Sequence, residues 1–288
     1  MQQLSGFLQR FLALSPGSIS HTIPLLACMT GTLVGCAWLL GGVSMMISAL
    51  LAVLLMLGLS PMISPQFLMK LLRARPLDAV RFPAVFEMAG LLAERAGLGY
   101  RPHLFLLPGK GVNAITTGTD QDTTIALSSD AVHSLSPRQL RAVLAHEIAH
   151  AWHSDTRILM MTDVLHRATW TLAIFGLLMF MFSDANPPIW MVLLFGASPS
   201  ISFLFQRAVI RDREFAADHG ASDLLGGPED MIDALLHIDQ INRRTLRLLP
   251  YRSTQPPSLF DTHPSVSARI AALKALKPHI WQGFFTRP

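Results

Sequence analysis

Residues Ile23–Ile63, IPLLACMTGTLVGCAWLLGGVSMMISALLAVLLMLGLSPMI, decide the fold. They contain no Asp, Glu, Lys or Arg, and the charge-free region around them runs from Phe11 to Met69. A helix in a water-soluble core has no need of so long an apolar run, whereas each bilayer crossing needs about 20 apolar residues. The length accommodates two crossings, Ile23–Leu40 and Val43–Ile63, joined at Gly41-Gly42. A cleaved leader is a poor alternative, because only Arg10 precedes the run and a second apolar segment follows at once. Cys28 and Cys36 lie in the first crossing. Eight residues of helix separate them by about 12 Å, beyond disulfide reach, and they read as small apolar residues.

Working outward, Lys70, Arg73, Arg75 and Arg81 follow the second crossing. Lys and Arg collect on the cytoplasmic side of a membrane, so both flanks are predicted to lie there. A second pair of apolar runs, Ala168–Phe182 and Ile189–Phe205, meets at Asp184-Ala185-Asn186-Pro187-Pro188, flanked by Arg157, Arg167, Arg207, Arg211 and Arg213. The same bias predicts four crossings, with both termini and the soluble portion cytoplasmic. Ala168–Phe182 is short for a crossing, which leaves open a helical hairpin buried in a soluble core. The composition sides with the membrane: 15% of residues are charged and 51% hydrophobic, against about 25% charged in ordinary soluble chains. The net charge of +4 suits an anionic lipid surface. No basic stretch is interleaved with aromatics, so the charge does not indicate nucleic acid, and none is expected as a partner.

The remaining chain reads as soluble helices and short strands. Phe82–Ala96 has helical spacing; His103–Leu107, Asn113–Thr117 and Thr123–Leu127 read as strands. Ser136 is placed to cap a helix that has Pro137 at its first position and runs to about His153. Further helices are expected over Phe205–Leu225, Glu229–Ile241 and Pro264–Leu276, with a loop over Leu248–Phe260. The expected fold is mainly α with a small β-sheet, a polytopic membrane protein with about four transmembrane helices. Its segments are a transmembrane hairpin (1–69), a first part of the soluble domain (70–167), a second hairpin (168–205) and a second part of that domain (206–288).

His146-Glu147-Ile148-Ala149-His150 forms the pattern HExxH inside the capped helix. Two His at i and i+4 project from one helix face and can share one Zn²⁺. The Glu beside the first His can take a proton from a water and pass it to a leaving amine. Apolar neighbours Leu144, Ala145, Ile148 and Ala149 argue against an exposed face. A catalytic zinc site needs a third protein ligand. The extended motif would need His at 156, which is Thr156, and His153 reads better as a surface or supporting His. Glu214, in Arg213-Glu214-Phe215-Ala216-Ala217-Asp218, is the alternative, with Asp218 one turn on to hold a ligand imidazole. Pairing of Glu214 and Asp218 with Arg211 or Arg213 on a wet helix face is the plainer possibility.

HEIAH, then REFAAD followed by His219-Gly220-Ala221, then Thr262-His263-Pro264 with Arg269, in this order, resembles the HtpX-like membrane metallopeptidases, relatives of the CAAX prenyl proteases. The resemblance takes in Asn113-Ala114, Ala142–Ala145 and the hairpin between the metal motifs, but little of the N-terminal hairpin. It implies a gluzincin-type metallopeptidase domain with one Zn²⁺ per chain on His146, His150 and Glu214, and Glu147 as base. It further implies His263 beside the oxyanion, Arg269 orienting the site, and Asn113-Ala114 on an edge strand that pairs with substrate backbone. Ile115 departs from the family's Phe at that point. The function implied is a zinc endopeptidase of the bacterial inner membrane with its peptidase domain in the cytoplasm, acting on membrane or peptide substrates in protein quality control. A processing protease for one peptide or lipidated substrate, and a catalytically dead membrane scaffold, are the alternatives. The intact Glu147 speaks against the scaffold.

Overall fold

The computed structural model describes residues 16–59, 65–109, 111–119, 122–182, 187–247 and 264–276. They fall into two compact units, one containing the N-terminal helix and Arg157–Asp212, the other containing most of Ile63–Thr156 and the chain from Arg213 on.

In the first unit, helix α1 spans Pro16–Leu59 and is broken at Gly41 and Gly42, which leave helical geometry (Gly42 at φ +62°). Met29, Leu33 and Val53 bury themselves in one apolar cluster with Val164 and Leu165. Along a straight helix Met29 and Val53 would stand about 36 Å apart. Their shared cluster therefore requires the chain to turn back at the glycine pair. A side chain at Gly41 would lie 2.9 Å from the Cβ of Met45, so the turn depends on the missing Cβ.

Helices α6 (Asp155–Phe182) and α7 (Ile189–Leu225) carry the second pair of apolar runs. The short run ending at Phe182 is the far part of a 28-residue helix, long enough to cross a bilayer. Among the described residues, three helices are long and apolar enough to cross a membrane: His21–Gly58 within α1, α6 and α7. Trp170, Phe175, Met181, Phe182, Trp190 and Leu193 stand exposed on α6 and α7, which no soluble core explains. The two helices approach closely where Gly176 faces the buried ring of Phe195; a Cβ there would come within 2.5 Å of it.

The second unit is built on a four-stranded mixed sheet in the order β1-β2-β4-β3. The strands are β1 (Arg75–Pro76), β2 (His103–Leu107), β3 (Ala114–Thr119) and β4 (Asp122–Ser128). β2 and β4 run parallel, β3 pairs antiparallel to β4 with Ala114 opposite Leu127, and β3 forms one edge. Buried Ile125 and Leu127 of β4 share a core with Leu92 of α3 (Pro83–Arg95) and with Leu140, Leu144 and Ile148 of α5 (Pro137–Trp152). Ala221 of α7 and Met231 and Leu235 of α8 (Glu229–Arg247) complete it. Ser136 and Gln139 form a reciprocal capping box at the start of α5, with Pro137 in the first turn. Helices α2 (Pro65–Leu71) and α4 (Ser129–Ser134) were not expected from periodicity, being too short to show it. The last helix, α9, is Val266–Lys274, capped by Ser265, so Pro264 lies before it instead of inside it. The loop expected over Leu248–Phe260 lies outside the described residues.

Candidate metal centre

Helix α5 buries Leu140, Leu144 and Ile148 on one face and carries His146, Glu147 and His150. His146 and Glu147 are themselves buried. The facing wall is α7, where sequence periodicity suggested separate apolar and polar helices but one continuous helix carries both Phe205 and Glu214. Gly220 sets how close the walls come: a Cβ there would lie 3.0 Å from the Cβ of Ala149 and 3.0 Å from the ring of His153.

Across this contact, one nitrogen each of His146 and His150 and one oxygen of Glu214 lie within 4.8 Å of one another, the only three-donor group of this kind among the described residues. The His146 and His150 Nε2 atoms are 3.2 Å apart, with Glu214 Oε2 3.6 Å from the first and Oε1 3.8 Å from the second. Donors about 2.1 Å from one tetrahedral ion stand about 3.4 Å apart, so two imidazoles and a carboxylate in this arrangement fit zinc.

Each Nδ1 turns outward to a carboxylate. Asp218 Oδ1 is 3.1 Å from His146 Nδ1, and Asp155 Oδ2 is 2.8 Å from His150 Nδ1. Arg269, from α9, grips Asp218 with two donors (Nε to Oδ2 2.7 Å, Nη2 to Oδ1 2.5 Å) and sets Nη1 3.5 Å from Glu214 Oε2. Burial works against charge on His146, but Asp218 and Glu214 outweigh it and hold its pKa up at about 9 in the absence of metal.

Glu147 projects toward β3, where the Thr116 hydroxyl donates to its Oε2 over 2.6 Å. Asn113 is exposed, its backbone N–H donating to Ser128 Oγ and its carbonyl accepting from Ser128 N, while Ala114 begins the edge strand. His263 lies outside the described residues. His153 is not one of the metal-facing donors: its ring stacks on Trp152, lies against Gly220, and has a buried Nδ1 with no partner. Burial pushes its pKa down to about 4.

The structure adds Asp155 and Thr116 to the site. The signal for Asp155 is a carboxylate five residues past the second His, beyond a helix break; for Thr116 it is a hydroxyl two residues beyond Ala114 on the same strand face. Arg213 also differs from the sequence reading. Instead of lying on a wet flank it is 1% exposed and donates to Asp155 Oδ1 at 3.2 Å.

Residues 80–277 match the family model described as Peptidase family M48. The chain is 31% identical over 277 residues to the protein called Protease HtpX in Legionella pneumophila (strain Lens), covering 88% of this chain and 98% of that one. It is 29% identical over 272 residues to a Protease HtpX homolog of Thermococcus kodakarensis, covering 88% and 93%. Among solved structures it resembles S. mikatae Ste24p, with a TM-score of 0.50 and 23% identity over 78% of this chain, spanning about half (55%) of that chain's length. With the matched region holding both metal motifs and Arg269, the chain belongs to peptidase family M48.

Proposed function

We propose that the chain is a zinc-dependent endopeptidase of a membrane, cleaving membrane or membrane-proximal proteins. The observation that carries this is the convergence of His146, His150 and Glu214 donors from two helices, with Glu147 beside them. When bound, zinc would supply a Lewis acid that polarises the scissile carbonyl. His146, His150 and Glu214 would hold it, leaving the side toward Glu147 for substrate and water. Glu147 takes a proton from the attacking water and delivers it to the leaving amine. Thr116 fixes the carboxylate that does so, and the buried setting keeps that transfer away from bulk water. Strand β3, at the sheet edge, offers backbone groups for an extended peptide, with Ala114 at its start and Asn113 immediately before it. His263 is proposed to balance charge on the tetrahedral intermediate, and Arg269 orients Asp218 and Glu214.

The fold-back of α1, with α6 and α7, supports four crossings, and the flanking Lys and Arg support a cytoplasmic peptidase domain, in a bacterial inner membrane. The domain divisions 1–69, 70–167, 168–205 and 206–288 belong to this reading. Glu214 sits nine residues past Phe205 on the same helix as the apolar run, which favours substrates presented at the bilayer, as in quality control of membrane proteins. The test compares the native chain with Glu147→Gln in detergent, measuring bound zinc and cleavage of casein and of a membrane protein. Zinc retained with cleavage lost is the expected result; a Glu147→Gln chain that still cleaves refutes the assignment.

A further inference from the structure

We propose that Asp155, held by Arg213, is a positioning residue for the metal: it fixes His150 with Nε2 turned to the ion and so sets how tightly zinc is kept. This rests on the metallopeptidase reading above.

Asp155 is fully buried and its two oxygens have different partners. Oδ2 lies 2.8 Å from His150 Nδ1, and Oδ1 accepts from Arg213 Nη1 at 3.2 Å. An imidazole that gives its Nδ1 hydrogen to a carboxylate presents an unprotonated Nε2, which is the form a metal takes, and the ring cannot swing away. The carboxylate also makes the ring a more basic ligand. Asp218 does this for His146, and Asp155 supplies the matching partner on the second imidazole.

The chain reaches this position by a sharp turn. Helix α5 closes at His153, Ser154 takes a left-handed conformation (φ +56°), and α6 starts at Asp155. Had the helix continued, residue 155 would point away from His150, since neighbours on a helix face are three or four apart. A non-glycine residue in the left-handed region is uncommon, and here it brings the carboxylate back onto the imidazole.

Arg213 holds Asp155 in place. It is the largest fully buried side chain among the described residues and is the immediate neighbour of the ligand Glu214 on α7. One ion pair thus ties the helix that follows the first two ligands to the helix that carries the third. Surrounding charges are Glu214 and Asp218 on α7 and Arg269 on α9, the last engaged with Asp218.

The test uses the full chain in detergent, stripped with a chelator and titrated with zinc against a competing chromophoric chelator, with unfolding of the zinc-free forms followed in parallel. Four chains are compared: native, Asp155→Asn, Asp155→Ala, and Asp155→Ala with Arg213→Met. Asp155→Ala is expected to bind zinc 10- to 100-fold more weakly and, with the buried Arg213 guanidinium losing the Asp155 carboxylate, to unfold early. The double variant removes the buried guanidinium as well and recovers stability, yet keeps the zinc deficit, which a merely structural role would not leave behind. Asp155→Asn, which retains an acceptor for His150, recovers most of the affinity. Native-like zinc binding in the double variant, or equal losses in Asp155→Asn and Asp155→Ala, overturns the proposal. A native chain that takes up no zinc overturns the metal reading itself, and this inference falls with it.

Discussion

The contact at Gly220 gives a prediction in which packing opposes helix propensity. Replacing Gly by Ala inside a helix ordinarily stabilises it by about 1 kcal/mol, because Gly is a poor helix former. Gly220 lies within α7, so propensity alone predicts a gain. The new methyl group would meet the Cβ of Ala149 and the His153 ring, each at 3.0 Å. The Ala149 methyl is attached to a buried stretch of α5 and cannot move aside without moving the helix. Overpacking of this kind costs typically 1–3 kcal/mol. The net expectation is a loss of up to about 2 kcal/mol, which for a domain of this size lowers the unfolding midpoint by up to roughly 8 °C. Because the contact separates the helix of His146 and His150 from the helix of Glu214, the zinc dissociation constant should rise as well. Thermal unfolding of the zinc-free chain and zinc titration of Gly220→Ala measure the two effects. Ala149→Gly combined with Gly220→Ala restores the space, so the pair should be less destabilised than the sum of its parts by about 1 kcal/mol or more. A Gly220→Ala chain as stable as native, binding zinc as tightly, would refute the close-contact reasoning.

Removal of the Thr116 hydroxyl in Thr116→Val should lower kcat about tenfold with KM and zinc content nearly unchanged, since only the orientation of the base is lost; Thr116→Ser should restore it, and steady-state kinetics on a peptide substrate would tell. His153, with its pKa near 4, stays neutral when folded but takes a proton near pH 6.5 when unfolded. The unfolded state therefore binds more protons between those values, so the stability is fully present above pH 6.5 and declines as pH falls toward 4, by up to about 3 kcal/mol. Unfolding curves of the zinc-free chain against pH should be steeper for native than for His153→Gln. Zinc binding at pH 7 should release a proton, because His146, with its pKa at about 9, holds one there and must give it up to coordinate. Titration calorimetry in buffers of different ionisation enthalpy checks the proton, and zinc affinity should weaken as pH falls from 9 toward 7.

Local chemistry made part of this molecule legible and long-range pairing hid the rest. The metal helix could be read because all its signals are short-range: Ser136, Pro137 and Gln139 at its start, and two imidazoles one turn apart. The charge-free N-terminal region was equally plain, since a missing charge needs no partner to be seen. Periodicity failed at 189–225, where an apolar stripe passes into a charged one without a break and a single helix was read as two. It failed again at 168–182, because the polar first turns of α6 disguised the length of that helix. Asp155 is hidden in the sequence for a different reason. Its contact with His150 depends on the backbone angle of Ser154, which no residue type dictates. Thr116 required the register of β3 against β4, with Thr116 opposite Ile125, to come onto the face that meets α5. By sequence Arg213 belongs with the cations that flank a membrane segment, and only the fold shows that it pairs internally with Asp155.

The charges buried around the three donors bear on which ion belongs there. Among the described residues, four carboxylates, Glu147, Asp155, Glu214 and Asp218, face two guanidiniums, Arg213 and Arg269. With neutral imidazoles this set carries two negative charges in excess, in a region shielded from water where uncompensated charge is costly. A divalent cation at the three donor atoms cancels the excess; a monovalent one leaves half of it. Without metal the site draws in protons instead, which is the physical content of the raised pKa of His146. The donor types narrow the choice further, because two imidazoles and one carboxylate suit zinc, whereas magnesium and calcium prefer all-oxygen sites. Ligand geometry, charge balance and the outward carboxylates on both imidazoles thus converge on one divalent transition-series ion without appeal to the family. That agreement is what gives the Asp155 experiment its force: removing a single buried carboxylate changes the charge, the tautomer and the aim of one ligand together, and the Asn variant separates the first of these from the other two.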